Sequence, residues 1–191
     1  MSIRTTAASA LLGAMSLLAG CTAMPPNMGM GSAPARPAAV QASPWSAVER
    51  DFVMNVAAKG MYEIEVSKLA SERALGREVR SYAQTLVRHH TQANNELIAM
   101  MSARGIAPPV GLAPDRATKL QRLAALPRSD AFDSGYVRVV GVEDHRAAIA
   151  AFEKARKDVR DRELRAWMDR TLGTLRNHLA MAQSIVASMN G

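Results

Sequence analysis

From Ser46 onwards, apolar residues recur with the 3.6-residue period of amphipathic helices, and four long helices are predicted. They span residues 46–75, 77–104, 130–159 and 162 almost to the C-terminus. Ser46 and Glu49 have the spacing of a capping box at the start of the first helix. Gly76 and Gly105 end the first two helices, and Asp161 is the expected N-cap of the fourth.

The lengths of the connections predict how these helices are joined. Very short connections link the first helix to the second and the third to the fourth, as in antiparallel hairpins. Residues 106–129 separate the two pairs and hold a predicted short helix over 115–126. Two hairpins joined by one long crossover predict an all-α fold, a ferritin-like antiparallel four-helix bundle over residues 46–191. We expect both hairpin turns at one end of this bundle and the preceding chain at the other.

Four ionisable side chains are predicted to face the core at half the height of the bundle. At 100° per residue, Glu63, His90 and His178 each fall on the apolar face of their own helix. Each lies near the midpoint of a helix about 45 Å long, and midpoints coincide in an antiparallel bundle. A fourth side chain, on the third helix, lies at the same height. The predicted metal-ligand set is therefore Glu63, His90, His145 and His178.

The residue that the third helix contributes to this set is harder to choose, because this helix has two apolar faces. His145 shares one of them with Phe152, whereas Glu143 lies on the other. We favour His145 as the ligand from this helix, with Glu143 or Asp144 as substitutes. His89 lies at the edge of the apolar face of its helix. We expect it either to be solvated or to form a hydrogen bond to one of the metal ligands without binding the metal itself.

One glutamate and three histidines form a ligand set suited to zinc, iron or copper. A metal-free polar core is the alternative, because hydroxyl or carboxylate partners also satisfy a buried neutral histidine. Di-iron enzymes with ferritin-like folds use Glu-x-x-His pairs, but here Val87 and Leu175 occupy the glutamate positions before His90 and His178. A non-enzymatic role is therefore favoured, and a metal-dependent redox enzyme is the third interpretation.

Composition agrees with helices and narrows the range of partners. Apolar residues make up 48% of the chain and aromatic residues 4%, which favours helices over a β fold. The formal net charge is +7, but basic residues alternate with acids, so nucleic acid is not an expected partner. Basic residues beside the hairpin turns predict a net-positive end suited to an anionic envelope component: Arg73, Arg77, Arg80, Lys154, Arg156, Lys157, Arg160, Arg162 and Arg165.

The first 45 residues predict export and a tether. Residues 1–20 contain a short apolar stretch behind a single basic residue, which is the layout of a secretory signal peptide. Residues 21–45 are rich in proline, methionine and alanine and show no periodic apolar face, so we predict a flexible linker there.

The junction between these two segments, Leu18-Ala19-Gly20-Cys21, resembles a bacterial lipobox. The resemblance implies cleavage before Cys21, lipidation of that residue and a membrane as the partner of the lipid. Thr22 stands where an aspartate would retain a lipoprotein at the inner membrane, which implies the outer membrane. The alternative is a soluble periplasmic protein cut after Ala23.

Five segments together resemble a known family: residues 62–70, 90–94, 131–137, 144–145 and 178–182. Over about residues 46–188 the chain is similar to the ferritin-like family of predicted bacterial outer-membrane proteins of unknown function. The resemblance implies a ferritin-like bundle in the envelope, facing the periplasm. We expect a non-enzymatic module that binds one transition metal, with a metal-free structural, interaction or stress-protective module as the alternative.

Overall fold

A computed structural model describes residues 44–190, and every regular element in this range is helical. The elements are α1 (Ala47–Arg73), α2 (Arg77–Ser102), α3 (Pro114–Ala125), α4 (Asp130–Tyr136), a π-helix (Val137–Asp144), α5 (His145–Ala155) and α6 (Arg162–Met189). The all-α prediction is thus confirmed for these residues. None of these helices has both the length and the apolarity needed to cross a bilayer. The predicted signal peptide, Cys21 and nearly all of the predicted linker lie outside the described residues.

Side chains cap the helices where the sequence predicts them. Ser46 Oγ accepts a hydrogen bond from the backbone N–H of Glu49, and a Glu49 carboxylate oxygen accepts one from the Ser46 N–H at 2.8 Å. Asp161 accepts a hydrogen bond from the backbone N–H of Leu164 at the start of α6. Each cap satisfies an N–H group that has no intrahelical partner, and it stabilises its helix by about 1 kcal/mol.

The third long helix is not the continuous α-helix predicted over residues 130–159. It consists of α4, the π-helix and α5, and it ends earlier than predicted. A π-helix has a wider turn than an α-helix, so the buried stripe shifts sideways around the helix axis. Phe132 and Tyr136 are buried before this shift, and Phe152 is buried after it. The two apolar faces seen in the sequence therefore pack into the same bundle, one on each side of the π-helix.

Two buried carboxylates show which ends of the helices meet. Glu49 in the first turn of α1 accepts hydrogen bonds from the backbone N–H groups of Arg160 and Asp161 at 2.8 and 2.9 Å. Helix α1 therefore begins beside the turn between α5 and α6. Asp133 of α4 accepts hydrogen bonds from two backbone N–H groups in the turn between α1 and α2. The two hairpin turns thus lie at opposite ends of the bundle, and the expectation that they share one end was wrong.

The course of the crossover explains this difference. Helix α3 packs along α1, and Arg73 at the end of α1 donates hydrogen bonds to the carbonyl oxygens of Ala124 and Leu126. The third long segment therefore starts beside the first hairpin turn and runs in the same direction as α2. The basic residues of the two turns are divided between the two ends, so the single net-positive end that we predicted is not formed. The chain also enters α1 beside the second turn rather than opposite it.

The last residue of the predicted linker packs against the bundle. Trp45 is only 2% exposed and belongs to the apolar core. The guanidinium group of Arg104 lies 4.4 Å from the centroid of the Trp45 ring. Arg104 also pairs with Asp161 at 3.0 Å and with Glu163 at 2.9 Å. These contacts close the end of the bundle at which α1 begins.

The buried apolar residues form two clusters with a polar layer between them. One cluster includes Phe52 and Trp167, and the other includes Tyr82 and Tyr136. Along α2, the third long segment and α6, one buried polar residue lies between the members of the two clusters: Asn94, His145 and His178. In α1, buried Glu63 lies next to Tyr62, the first member of the second cluster in that helix. The polar layer therefore lies near the middle of the bundle.

Close packing of Gly141 against α6 gives a test of the fold. A Cβ atom on residue 141 would lie 2.7 Å from the Ala182 Cβ and 3.1 Å from the Tyr82 hydroxyl oxygen. We expect Gly141→Ala to lower the free energy of unfolding by about 1–3 kcal/mol, because overpacking outweighs the better helix propensity of alanine. Urea unfolding followed by circular dichroism measures the change.

Gly173 in α6 is the matched control, because it is exposed and a Cβ atom there meets no neighbouring atom within 4 Å. Gly173→Ala should raise the free energy of unfolding by up to about 1 kcal/mol through helix propensity alone. If the Gly141→Ala protein is as stable as the Gly173→Ala protein, the result contradicts the close packing of Gly141 against Ala182 of α6.

Candidate metal centre

Three histidines from three helical segments meet in the polar layer. His90 belongs to α2, His145 is the first residue of α5, and His178 belongs to α6. One nitrogen from each imidazole lies within 4.8 Å of the other two. His145 and His178 are each 1% exposed, and His90 is partly buried. The three rings therefore offer a compact set of nitrogen donors.

The carbonyl group of Val140 determines which nitrogen of His145 is free. His145 Nδ1 lies 2.8 Å from the Val140 carbonyl oxygen, which only accepts hydrogen bonds, so we assign the proton to Nδ1. The lone pair is then on His145 Nε2, which lies 3.2 Å from His178 Nδ1. Two nitrogens bound to one tetrahedral zinc ion lie about 3.3 Å apart, given zinc–nitrogen bonds of about 2.0–2.1 Å. The separation of these two donors thus suits a shared ion.

His89 supports His178 from outside the group of three. His89 Nδ1 lies 2.8 Å from His178 Nε2, and the two rings stack with their centroids 5.1 Å apart. With a metal on His178 Nδ1, the proton of His178 is on Nε2 and is donated to His89 Nδ1. His89 is exposed to solvent. His89 is therefore both exposed and in hydrogen-bond contact with His178.

Glu63 lies beside the three histidines but outside their compact group. It is 2% exposed and lines the same cavity as His90 and His145. Its carboxylate is not among the donor atoms that lie within 4.8 Å of one another. Burial raises the pKa of Glu63, and the positive charge of Lys59 reduces this effect. The structure thus brings together three of the four predicted ligands and places the fourth nearby.

The two substitute ligands do not join the histidines. Glu143 is exposed. The Asp144 carboxylate accepts a hydrogen bond from Lys119 Nζ at 2.6 Å, and the Asp144 carbonyl oxygen accepts one from Lys59 Nζ at 2.6 Å. Asp144 therefore links the third long segment to α3 and to α1. His145 is the residue of this segment that meets the other histidines.

A cavity of about 350 Å³ adjoins the histidines. Phe52 and Phe152 form part of its apolar wall, and Lys59 and Arg116 line it as well. Neither basic residue is among the site residues predicted from the sequence. Lys59 lies four residues before Glu63, so its place on the same helix face was available from the spacing. No signal in the sequence places Arg116 of the crossover at this cavity.

The sequence of this chain matches a known protein family. The sequence profile of a family described as a domain of unknown function, DUF4142, matches residues 34–185. The chain belongs to the DUF4142 family. Among curated proteins no match is found.

A solved structure is similar to this DUF4142 chain. The crystal structure of a DUF305 fragment from Deinococcus radiodurans matches with a TM-score of 0.67 and 19% sequence identity. The alignment covers 76% of this chain and 99% of that chain. At this level of identity, the match shows a shared helical fold.

Burial keeps the three histidines of this DUF4142 domain in the neutral form. Removal from water lowers the pKa of His145 to about 4 and the pKa of His178 to about 3. It also lowers the pKa of His90 well below its usual value, and repulsion from the protonated forms of the other two rings adds to this effect. Neutral imidazole is the form that binds metal ions. The site therefore presents three unprotonated imidazoles at neutral pH.

These pKa values predict that acid destabilises the metal-free protein. Each of the three histidines has a lower pKa in the folded chain than its ordinary value of about 6.5, so the unfolded chain binds more protons below that pH. Stability should therefore fall as the pH drops from about 6.5 toward 4. Each histidine lowers the free energy of unfolding by up to about 1.4 kcal/mol for each unit by which the pH falls. The raised pKa of Glu63 has the opposite effect on the free energy of unfolding and cancels the contribution of about one histidine.

A comparison with His178→Gln isolates the contribution of one ring. Between pH 7.5 and 5.5, the variant should lose about 1 kcal/mol less free energy of unfolding than the wild-type protein loses. Urea unfolding in the presence of a chelator measures both losses. Equal losses in the two proteins would contradict a neutral, buried His178.

Proposed function

We propose that this domain binds one transition-metal ion through His90, His145 and His178. The convergence of one nitrogen from each of the three imidazoles within 4.8 Å carries the proposal. Proteins use three histidines to bind zinc, and imidazole also suits copper and iron. Three protein ligands leave one coordination position for water or another ligand.

A ferritin-like four-helix bundle is the scaffold that we propose for this site. Its support is the element order, in which two antiparallel hairpins are joined by a crossover that contains α3. One long crossover is the connection found in ferritin-like bundles, which hold metals on the inward faces of their helices. The histidines lack the Glu-x-x-His pairs of di-iron enzymes. This difference favours a non-enzymatic, mononuclear site over an oxygen-activating centre.

Hydrogen bonding favours a metal over the metal-free alternative. A chain of hydrogen bonds runs from the Val140 carbonyl group through His145 and His178 to His89. His90 has no place in this chain, because its buried Nε2 has no hydrogen-bond partner among the described residues. An unpaired buried nitrogen costs about 1–3 kcal/mol, a penalty that coordination to a metal removes. His90 is therefore the residue that separates the two hypotheses.

Zinc reconstitution of untagged protein tests the site. We expect one zinc ion per chain after gel filtration, measured by inductively coupled plasma mass spectrometry. His90→Ala should abolish stoichiometric binding, because the two remaining imidazoles do not complete the ligand set. Circular dichroism checks that the variant is folded. Failure of the wild-type protein to hold zinc, copper or iron would reject the proposal, and one zinc per chain in the His90→Ala protein would show that the ligands are wrongly assigned.

Two further variants serve as controls for this experiment. Glu143→Gln changes an exposed carboxylate close to His145 in sequence and should leave zinc binding unchanged. His89→Ala should keep one zinc ion per chain but weaken the affinity by about 10- to 100-fold, as loss of a hydrogen-bonding partner behind a ligand does. Loss of stoichiometry in the His89→Ala protein would instead place His89 among the ligands.

We also propose that the domain belongs to an outer-membrane lipoprotein that faces the periplasm. The support is the lipobox-like run Leu18-Ala19-Gly20-Cys21 and the threonine that follows it. The described fold begins at Trp45, which leaves residues 22–44 to connect a lipidated Cys21 to the bundle. The alternative is that the domain belongs to a soluble protein of the periplasm.

Cys21→Ser tests the lipid anchor. The substitution removes the thiol that acylation requires, so the protein should lose the acyl mass and move from the membrane fraction to the soluble fraction. Mass spectrometry of the intact protein and immunoblots of fractionated cells measure the two changes. Thr22→Ser, at the adjacent residue, should leave both properties unaltered. Unchanged membrane retention of the Cys21→Ser protein would count against the anchor.

A further inference from the structure

We infer that the cavity beside the histidines is a binding site for a small organic anion with an apolar body. Its volume of about 350 Å³ equals that of about a dozen water molecules, so it accommodates roughly ten non-hydrogen atoms. Small-molecule sites in proteins fall in this range of volumes. The inference goes beyond the metal site and does not depend on it, because the groups that recognise the anion belong to the chain itself.

Unpaired polar atoms are concentrated at this cavity. Among the described residues, eight buried side-chain atoms have no hydrogen-bond partner. Four of these eight belong to residues that line the cavity: Glu63 Oε2, His90 Nε2, Arg116 Nη1 and Trp167 Nε1. The proposed metal would pair with His90, which leaves Glu63, Arg116 and Trp167 with an unpaired atom. Buried polar groups in proteins are nearly always paired, so this concentration indicates a second ligand that supplies the missing partners. The arginine and indole nitrogens only donate, which calls for acceptor oxygens on that ligand.

The charges around the cavity select an anion. Lys59 and Arg116 line it, and Glu63 is the one carboxylate side chain among the described lining residues. Transfer of a proton between Lys59 and Glu63 would not change their total charge, so the guanidinium group of Arg116 leaves the lining net positive in either case. Asp144 does not change this balance, because Lys119 is its partner in an ion pair. An anionic group that accepts hydrogen bonds from Arg116 would thus gain both charge complementarity and hydrogen bonding.

The rest of the cavity suits an apolar body. Phe52 and Phe152 pack edge to face with their centroids 5.1 Å apart, and both rings line the cavity. The entrance lies between α1 and α5, where exposed Asn55, Ala147 and Ala151 also line it. The small alanine side chains on α5 leave this entrance open. An aromatic or short branched carboxylate therefore matches the cavity in size, charge and polarity.

Phenylacetate is the probe, and phenylacetamide is its uncharged control of the same shape. Isothermal titration calorimetry on the full metal-free chain measures the binding of both molecules. We expect saturable binding of phenylacetate at one site, about tenfold tighter than that of phenylacetamide, a difference of about 1.4 kcal/mol. Arg116→Gln should remove this preference, whereas Arg122→Gln, at an exposed position of the same helix, should keep it.

A second pair of variants tests the entrance. Ala151→Phe should weaken phenylacetate binding by at least about tenfold, because the ring fills the opening. Ala150→Phe introduces the same ring at an adjacent exposed position that does not line the cavity, and it should bind as the wild-type protein does. Absence of saturable phenylacetate binding, equal binding of the two probes, or undiminished binding to the Ala151→Phe protein would overturn the inference.

Zinc stoichiometry of the same proteins separates this inference from the metal site. Zinc binding without phenylacetate binding overturns the cavity ligand and leaves the metal site standing. Phenylacetate binding that depends on Arg116 and on an open entrance, in a protein that holds no metal, supports the cavity ligand and rejects the metal site.

Discussion

The burial of three neutral imidazoles in the middle of the bundle is the constraint on which the rest of the structure depends. A bundle core is most simply filled with apolar side chains, and each buried polar ring needs a partner to offset its loss of hydration. His178 takes both of its partners from other helices, His89 of α2 and His145 of the third long segment, so these segments are held in register with α6. The two apolar clusters stabilise the fold above and below this layer.

The π-helix brings the third segment into that register. At its end, the backbone N–H of His145 bonds to the carbonyl oxygen of Val142, and the carbonyl oxygen of Val140 accepts the imidazole proton instead. The same segment carries Gly141, where the absence of a side chain lets α6 approach closely at Ala182. The wider turn therefore orients His145 and admits the helix that carries His178. π-Helices are frequent at functional sites, and the contacts of this one give a physical reason for its position.

Much of this arrangement could be predicted from the sequence, because it depends on local spacing. Ser46, Asp161 and the apolar period determine where helices begin and which face is buried. The same period places His178 in the interior and His90 at a partly buried position. The remaining features depend on contacts between distant residues. The end at which each hairpin turn lies follows from the path of the crossover, and the shift at the π-helix follows from packing against α6. The separation of Glu63 from the histidines likewise has no signature in a single helix.

Buried carboxylates at both ends of the bundle hold the helix ends together through hydrogen bonds to backbone N–H groups. Burial opposes the ionisation of Glu49, but hydrogen bonds from Ser46 and from two backbone N–H groups outweigh that effect and lower its pKa to about 2. At the opposite end, the Asp133 carboxylate accepts hydrogen bonds from two backbone N–H groups. Side-chain to backbone hydrogen bonds thus hold both ends of the bundle without any contact with the polar layer. Replacing buried polar groups with well-packed apolar ones is often neutral or stabilising. This sequence instead retains three histidines, an open cavity and Glu63, whose buried Oε2 has no hydrogen-bond partner among the described residues. Such departures from the rules of core packing are expected where a protein binds its ligands.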